Sequence, residues 1–361
     1  MISVRACIFG GLAAVAAAIS GAPAQAGGLT IIDKVNSGGY QFTNFDGPTP
    51  NTAGTTINGI SNNGTVVGFS TPDNMTLNNF TGNPLVSLNA NTLNINGSTN
   101  AMANGINSAG VVVGTDGNNN AFALSGSSLV TFIPDGGVSA IALGINDKGM
   151  IAGQYTTHAD TTPGFVLNGL TITTINAPSG PDVVNAQGIN NNGLVVGFYF
   201  GQDGQDHGFK FNLGSAVNNS GTGAPIADPV IPSVNGEPGA TFVFSQILGV
   251  NDKGIAVGYY GDSTGSQHGF LYNVGTGLYT FLDDPNEQFD NGVEVTQITG
   301  INNSGELTGF YTDQNGTAHG FVAIAGVPEP SSVALLGVGL TAILGFVYRQ
   351  KNRPGAQSTP R

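Results

Sequence analysis

Residues 189–200 read Ile189-Asn190-Asn191-Asn192-Gly193-Leu194-Val195-Val196-Gly197-Phe198-Tyr199-Phe200. Asn190 opens a tight turn and Gly193 takes the residue that enters positive φ, the pattern of a type I turn followed by a G1 bulge. Leu194 to Tyr199 is apolar almost throughout, which suits a strand covered on both faces. The segment therefore reads as a hairpin set inside a packed β structure.

The same frame occurs six times: ISNNGTVVG from Ile60, INSAGVVVG from Ile106, INDKGMIAG from Ile145, INNNGLVVG from Ile189, VNDKGIAVG from Val250 and INNSGELTG from Ile301. In five copies a Phe follows the closing Gly at a spacing of twelve: Phe80, Phe165, Phe209, Phe270 and Phe321. In the second copy Phe122 follows Gly114 at eight. Three of these phenylalanines sit in His-Gly-Phe, opened by His207, His268 and His319, and Pro163-Gly164-Phe165 is a variant. This is a third strand. A fourth carries Thr-x-aliphatic/aromatic-Asp/Asn-x-Pro, as in Thr173 to Pro178 and Thr280 to Pro285.

Four strands per repeat and a period of 39 to 61 residues predict an all-β fold, a six-bladed β-propeller over residues 28–325. A β-solenoid would have a shorter and steadier period. The longest interval holds an insertion, Leu213 to Ala240, rich in Gly, Pro, Asn and Ser, which reads as a surface loop. Thr43 to Pro48 matches the fourth-strand pattern but precedes the first repeat, and the sixth repeat lacks its own copy. The strand around Tyr40 to Phe45 is therefore expected to complete the last blade and remove an exposed edge.

The repeat spacing resembles the bacterial "extracellular repeat, HAF family", whose His-Ala-Phe stands here mostly as His-Gly-Phe. That resemblance implies an exported β-repeat protein and supplies no catalytic residues.

The 361 residues are only 9% charged, against about 25% in ordinary domains, and 57 are Gly. Between Gly27 and Val327 four lysines face 21 Asp and Glu, a formal net charge of −17. Such a surface repels phosphate backbones, so no nucleic-acid partner is expected. The one cysteine, Cys7, lies in a segment expected to be removed, which leaves no disulfide or thiol chemistry in the mature chain.

That segment is residues 1–26. Arg5 and the amino terminus are positive, Cys7 to Ile19 is apolar, and Ala24-Gln25-Ala26 offers small-x-small for signal peptidase. Cleavage is expected after Ala26. At the other end Val327-Pro328-Glu329-Pro330 precedes an apolar stretch, Ser332 to Tyr348, then Arg349, Lys351 and Arg353 and a tail, 354–361. Seventeen residues is the short end of a single transmembrane helix. The basic cluster would stay cytoplasmic and the repeats outside, the topology that the signal peptide also demands.

Pro328, Glu329 and Pro330, the short apolar helix and the basic cluster, residues 327–353, resemble the tripartite PEP-CTERM sorting signal. That resemblance implies processing by an exosortase in a Gram-negative bacterium that makes exopolysaccharide. It also implies a membrane-anchored precursor that ends at the cell surface or in the surrounding matrix. A plain single-pass anchor is the simpler reading of the same residues.

No residue set announces catalysis. Equivalent histidines on separate blades would not converge on one metal, so no metal site is expected and their role reads as packing or capping at a strand start. Asp203 to Asp206 and Asp313 to Gly316 offer carboxylates to calcium, but Asp, Asn and Gly in hairpin loops are expected on turn grounds alone. Tyr199, Tyr259, Tyr260 and Tyr311 follow the second-strand Gly and read either as sugar-stacking faces or as packing between blades. No cofactor is expected. The sequence thus points to a non-enzymatic surface or matrix protein associated with exopolysaccharide or biofilm, with a carbohydrate-binding or carbohydrate-cleaving propeller as the alternative.

Overall fold

The computed structural model describes residues 28–48, 54–73, 76–231, 240–287 and 293–326. The signal peptide, the Pro328–Pro330 motif, the apolar stretch 332–348, the basic cluster and the tail lie outside them. The chain divides into two compact units, Met1–Ile324 and Ala325–Arg361, and the strands fill the first. Among the described residues no helix is long and apolar enough to cross a membrane.

The fold is all-β, with curled sheets. β1 (Thr30–Ser37) and β2 (Tyr40–Asp46) precede the first repeat. That repeat supplies β3 (Gly54–Ile60), β4 (Val66–Thr71), β5 (Asn78–Asn83) and β6 (Ser87–Thr92). The second supplies β7 (Met102–Ile106), β8 (Val112–Thr115), β9 (Ala121–Ser125) and β10 (Ser128–Phe132). The third supplies β11 (Gly137–Ile145), β12 (Ile151–Thr157), β13 (Gly164–Asn168) and β14 (Thr171–Asn176). The fourth supplies β15 (Val184–Ile189), β16 (Leu194–Phe200), β17 (Asp206–Asn212), β18 (Ser220–Thr222) and β19 (Ala224–Pro225). The fifth supplies β20 (Phe242–Val250), β21 (Ile255–Asp262), β22 (Gln267–Asn273) and β23 (Leu278–Phe281). The sixth supplies β24 (Thr296–Ile301), β25 (Leu307–Thr312) and β26 (Ala318–Ala325).

Within each repeat the strands pair antiparallel in chain order, and the inner strands β3, β7, β11, β15, β20 and β24 pack each on the next until β24 returns to β3. The six expected turns are present. Gly64, Gly110, Gly149, Gly193, Gly254 and Gly305 all have φ between 74° and 89°. The strand expected to complete the last repeat does so: β2 lies beside β26, and β1 extends the sheet further. A single parallel pair, Ala318 with Gly54, joins this group to the first repeat and makes one nine-stranded sheet.

Two expectations need correction. The Leu213–Ala240 insertion is not simply a surface loop. It turns through Leu213–Ser215, sends β18 parallel to β14 of the preceding repeat, and returns β19 against β17 as a two-residue fourth strand. Repeats of four strands are also not uniform, because β18 makes the third sheet five-stranded and β1 adds a fifth strand to the last. Both additions cover a fourth strand whose edge would otherwise be free.

Apolar clusters sit between successive sheets. Val195, Tyr199 and Phe209 join Val166 and Ile175; Ile247 and Phe270 join Val196; Phe321 and Phe42 join Val257. The six recurring phenylalanines are all 0% exposed, each contributing about 1.5–3 kcal/mol of burial. The Gly that closes each repeat is required by close approach: at Gly197 a side chain would collide with the Asn185 carbonyl on the inner strand.

Candidate functional site

Six inner strands that meet round one axis place the same positions of every repeat together. Every inner strand has a register shift at the equivalent point, as between Ala186 and Gly188, and β11 and β20 have a second one near their starts. The residue at that point (Asn58, Asn104, Leu143, Gln187, Leu248 or Thr299) lines a small axial cavity of about 20 Å³. The next residue is always Gly. A Cβ at Gly59, Gly105, Gly144, Gly188, Gly249 or Gly300 would stand 2.9–3.4 Å from the next glycine's Cα, and Gly300 meets Gly59. Six backbones therefore press on one another with no room for a methyl group.

Beyond the glycines the turn asparagines form a second ring. Each Nδ2 donates to the backbone carbonyl of its counterpart in the next repeat: Asn107 to Asn146 at 3.1 Å, Asn146 to Asn190 at 2.9 Å, Asn190 to Asn251 at 3.0 Å. Asn251 to Asn302 and Asn302 to Ser61 follow, both at 3.2 Å. Each Oδ1 meanwhile accepts the backbone N–H groups two and four residues ahead, for Asn190 those of Asn192 and Leu194, both at 3.0 Å. Ser61 breaks the series because it has no amide to offer. The cavity inside this ring measures about 60 Å³, room for a few waters but not for a sugar ring, whose sites run to hundreds of Å³.

The three histidines occupy a different place. Each stands opposite a tyrosine of the second strand in register: His207 with Tyr199, His268 with Tyr260, His319 with Tyr311. The ring centroids are 5.8, 5.2 and 5.3 Å apart. Each imidazole also lies between two aspartates. His207 binds Asp203 through Nε2 at 3.0 Å and Asp228 through Nδ1 at 2.9 Å. His268 binds Asp283 at 3.0 Å with Asp262 at 3.7 Å, and His319 binds Asp46 at 2.8 Å with Asp313 at 3.6 Å. One carboxylate comes from the preceding hairpin and the other from the end of the fourth-strand segment.

Burial alone would depress these imidazoles. The aspartate hydrogen bonds and charges more than offset it, so all three titrate above the ordinary histidine value. Both ring nitrogens of His207 are hydrogen-bonded to carboxylates, whereas His268 and His319 make one such bond each, through Nδ1, with the second aspartate farther off at Nε2. These contacts tie the second hairpin to the fourth-strand segment.

Among the described residues one group has metal-like proximity: His268, Asp283 and Glu287, whose ligand atoms lie within 4.8 Å of one another. Burial and the Asp283 charge raise Glu287 well above the ordinary carboxylate range. The Thr296 hydroxyl donates to Glu287, and His268 Nδ1 and Asp283 are hydrogen-bonded at 3.0 Å. The four tyrosines considered as sugar platforms are buried: Tyr199 6%, Tyr259 1%, Tyr260 5% and Tyr311 3% exposed. They pack between sheets and offer no free face. His158 sits in the exposed turn between β12 and β13.

The aspartate partners and the glycine ring were missed in the sequence. The signals were there: an Asp four or six residues before each of the three His, the Asp of the fourth-strand pattern, and a Gly immediately before every repeat's leading aliphatic residue.

No curated protein matches the chain. Among solved structures it is similar to TolB from Acinetobacter baumannii, with 8% identity and a TM-score of 0.47 over 68% of this chain and 60% of that one. The chain thus spans somewhat less than two thirds of TolB. It is also similar to the Aleuria aurantia lectin in complex with α-methyl-L-fucoside (12% identity, TM-score 0.39, covering 76% of this chain and 96% of that one). A third is YCF48 bound to D1 peptide, with 14% identity and a TM-score of 0.37 over 79% and 86% of the two chains. At the other end of the molecule, residues 326–351 match the family model of the PEP-CTERM protein-sorting motif, on the residues where Pro328-Glu329-Pro330 and the basic cluster had suggested it: the chain carries a PEP-CTERM sorting signal.

Proposed function

We propose that this chain is an exported, non-enzymatic surface or matrix protein, a six-bladed β-propeller delivered by exosortase processing and associated with exopolysaccharide or biofilm. The observation that carries the reading is the PEP-CTERM motif at residues 326–351. In this reading residues 1–26 are a signal peptide cut after Ala26, 28–325 are the propeller of HAF-type repeats, and 332–348 cross the inner membrane until the tail is removed. The cycle of inner strands supports six blades. The narrow axis and the aspartate-bound histidines, His207 through both ring nitrogens, support a structural rather than a catalytic role.

Intact-mass analysis of the protein from an exosortase-bearing host is the test. The expected mature form begins at Gly27 and ends near Pro328 to Pro330. A form that keeps Leu335 to Arg361 would make the tail a permanent anchor. Release of reducing sugar from exopolysaccharide by the purified protein would replace the non-enzymatic reading with a glycosidase.

A further inference from the structure

Among the described residues, buried side-chain atoms without a hydrogen-bond partner are few, and four of them fall in one place. They are Asp33 Oδ1, Asp284 Oδ2 and both amide atoms of Asn44. Asp33 and Asn44 are directly opposed on β1 and β2. Asp284 arrives from the segment after β23, where the Asn44 side chain is near enough to favour its charged form but falls short of ordinary hydrogen-bond geometry. Asn286 ties the two sides, donating its amide to Asp33 Oδ2 at 2.6 Å and its backbone N–H to Asp284 Oδ1 at 2.9 Å. Asn44 and Asp284 are both 0% exposed.

A buried carboxylate oxygen with no well-placed donor is costly, and a second carboxylate within electrostatic reach, as Asp33 is of Asp284, adds to the cost. Solvent does not reach these atoms, and the nearest cationic side chain, His319, is already held by Asp46 and Asp313. Three of the four atoms are oxygens, two from carboxylates and one from an amide, hard donors of the kind calcium selects; the fourth, Asn44 Nδ2, is an N–H donor and no ligand.

We propose that Asp33, Asn44 and Asp284 bind one calcium ion, through Asp33 Oδ1, Asn44 Oδ1 and Asp284 Oδ2, and that the ion fastens the N-terminal hairpin to the neighbouring sheet. Three protein oxygens leave further positions for water or backbone carbonyls, which places the affinity with the weaker extracellular calcium sites, Kd on the order of 10⁻⁴–10⁻³ M. The site is separate from the Asp203 and Asp313 loops, whose carboxylates are taken by their own turns and histidines.

The test uses the full-length protein, stripped with chelator and titrated with calcium by calorimetry. In parallel, terbium luminescence is excited through tyrosine, because Tyr311 is within electrostatic reach of Asp284 and Asp33 and the chain has no Trp. One saturable site is expected, with an accompanying rise in Tm. Asp284→Asn and Asp33→Asn should weaken binding at least tenfold, and the exposed control Asp135→Asn should leave it unchanged. Asn44→Asp, which keeps an oxygen and adds a charge, should tighten binding. It keeps the proposal testable if the Asp284 variant fails to fold. No saturable binding at 10 mM calcium would overturn the proposal. So would binding that survives both Asp variants, or an Asp284→Asn protein as heat-stable without calcium as the native protein with it, since a shared proton would then suffice.

Discussion

Asn190→Ala tests the logic of the axial ring most directly. Asn190 is 4% exposed, and its side chain makes three hydrogen bonds near 3.0 Å, one to the next repeat and two that close its own turn. At about 0.5–1.5 kcal/mol net for each, the substitution should cost about 1.5–4.5 kcal/mol, toward the upper end because two backbone N–H groups lose their acceptor. Asn190→Asp keeps both acceptor bonds and loses only the donor to Asn251. It also turns an oxygen toward a carbonyl oxygen, so it should cost about 1–3 kcal/mol. Ser61→Ala should cost less, about 1–2 kcal/mol, because the Ser61 hydroxyl bonds only within its own turn, accepting the Thr65 N–H and donating to Asn63 Oδ1 or the Thr65 carbonyl, and has no amide for the next repeat. Equilibrium urea unfolding, followed by circular dichroism and tyrosine fluorescence, measures all three. An Asn190→Ala protein within about 0.5 kcal/mol of the native one, or no dearer than Ser61→Ala, would refute the claim that the asparagines bind the repeats together.

Ser61→Asn should supply the missing amide donor and raise stability by about 0.5–1.5 kcal/mol in the same assay; a loss would mean that the first repeat has no room for it. Gly144→Ala puts a Cβ into the Gln187 carbonyl and 3.4 Å from Gly188 Cα, so it should cost about 3 kcal/mol or more, or abolish folding when expression and circular dichroism are compared with the native chain. Stability in chelator should peak in mildly acidic solution. His207, His268 and His319 are raised above 6.5, and burial raises Asp284 from 3.8 to about 6, so what each contributes is present below its unfolded value and lost as pH rises through its folded one. Asp116, Asp147 and Asp313 are lowered by hydrogen bonds that outweigh burial, so their contribution is lost as pH falls below about 4. A urea midpoint higher at pH 8 than at pH 5.5 would contradict these assignments.

The parts of this fold that were legible in the sequence are those carried within one repeat. The Asn-x-x-Gly turn, the strand buried on both faces and the recurring Phe answer to local rules, and a fixed spacing repeated six times makes them plain. The completing strand, Tyr40 to Asp46, was legible because it kept the fourth-strand pattern while standing at the wrong end of the series. What escaped are contacts between repeats. Asp46 and His319 are 273 residues apart, and nothing local in either marks the other. The glycine before Ile189 looks like an ordinary strand glycine until five equivalent ones meet it on the axis. The insertion misled because its Gly, Pro and Ser suit a loop, while β18 and β19 form only where an existing edge offers hydrogen bonds. The candidate site behaved likewise: each histidine was visible, but its two carboxylates come from different segments.

The placement of β2 beside β26 also has a consequence in time. A chain made and exported from its N-terminus delivers β1 and β2 first, and their partner is the last strand of the domain to arrive. Until then the opening hairpin has no sheet to join, Asp46 has no histidine, and the inner strands cannot form their cycle. A chain stopped one repeat early would not be a slightly smaller version of the protein but an open arc with two bare edges, a ready substrate for proteases or for pairing with another such arc. The contact that completes the last sheet is thus also the one that removes its edge.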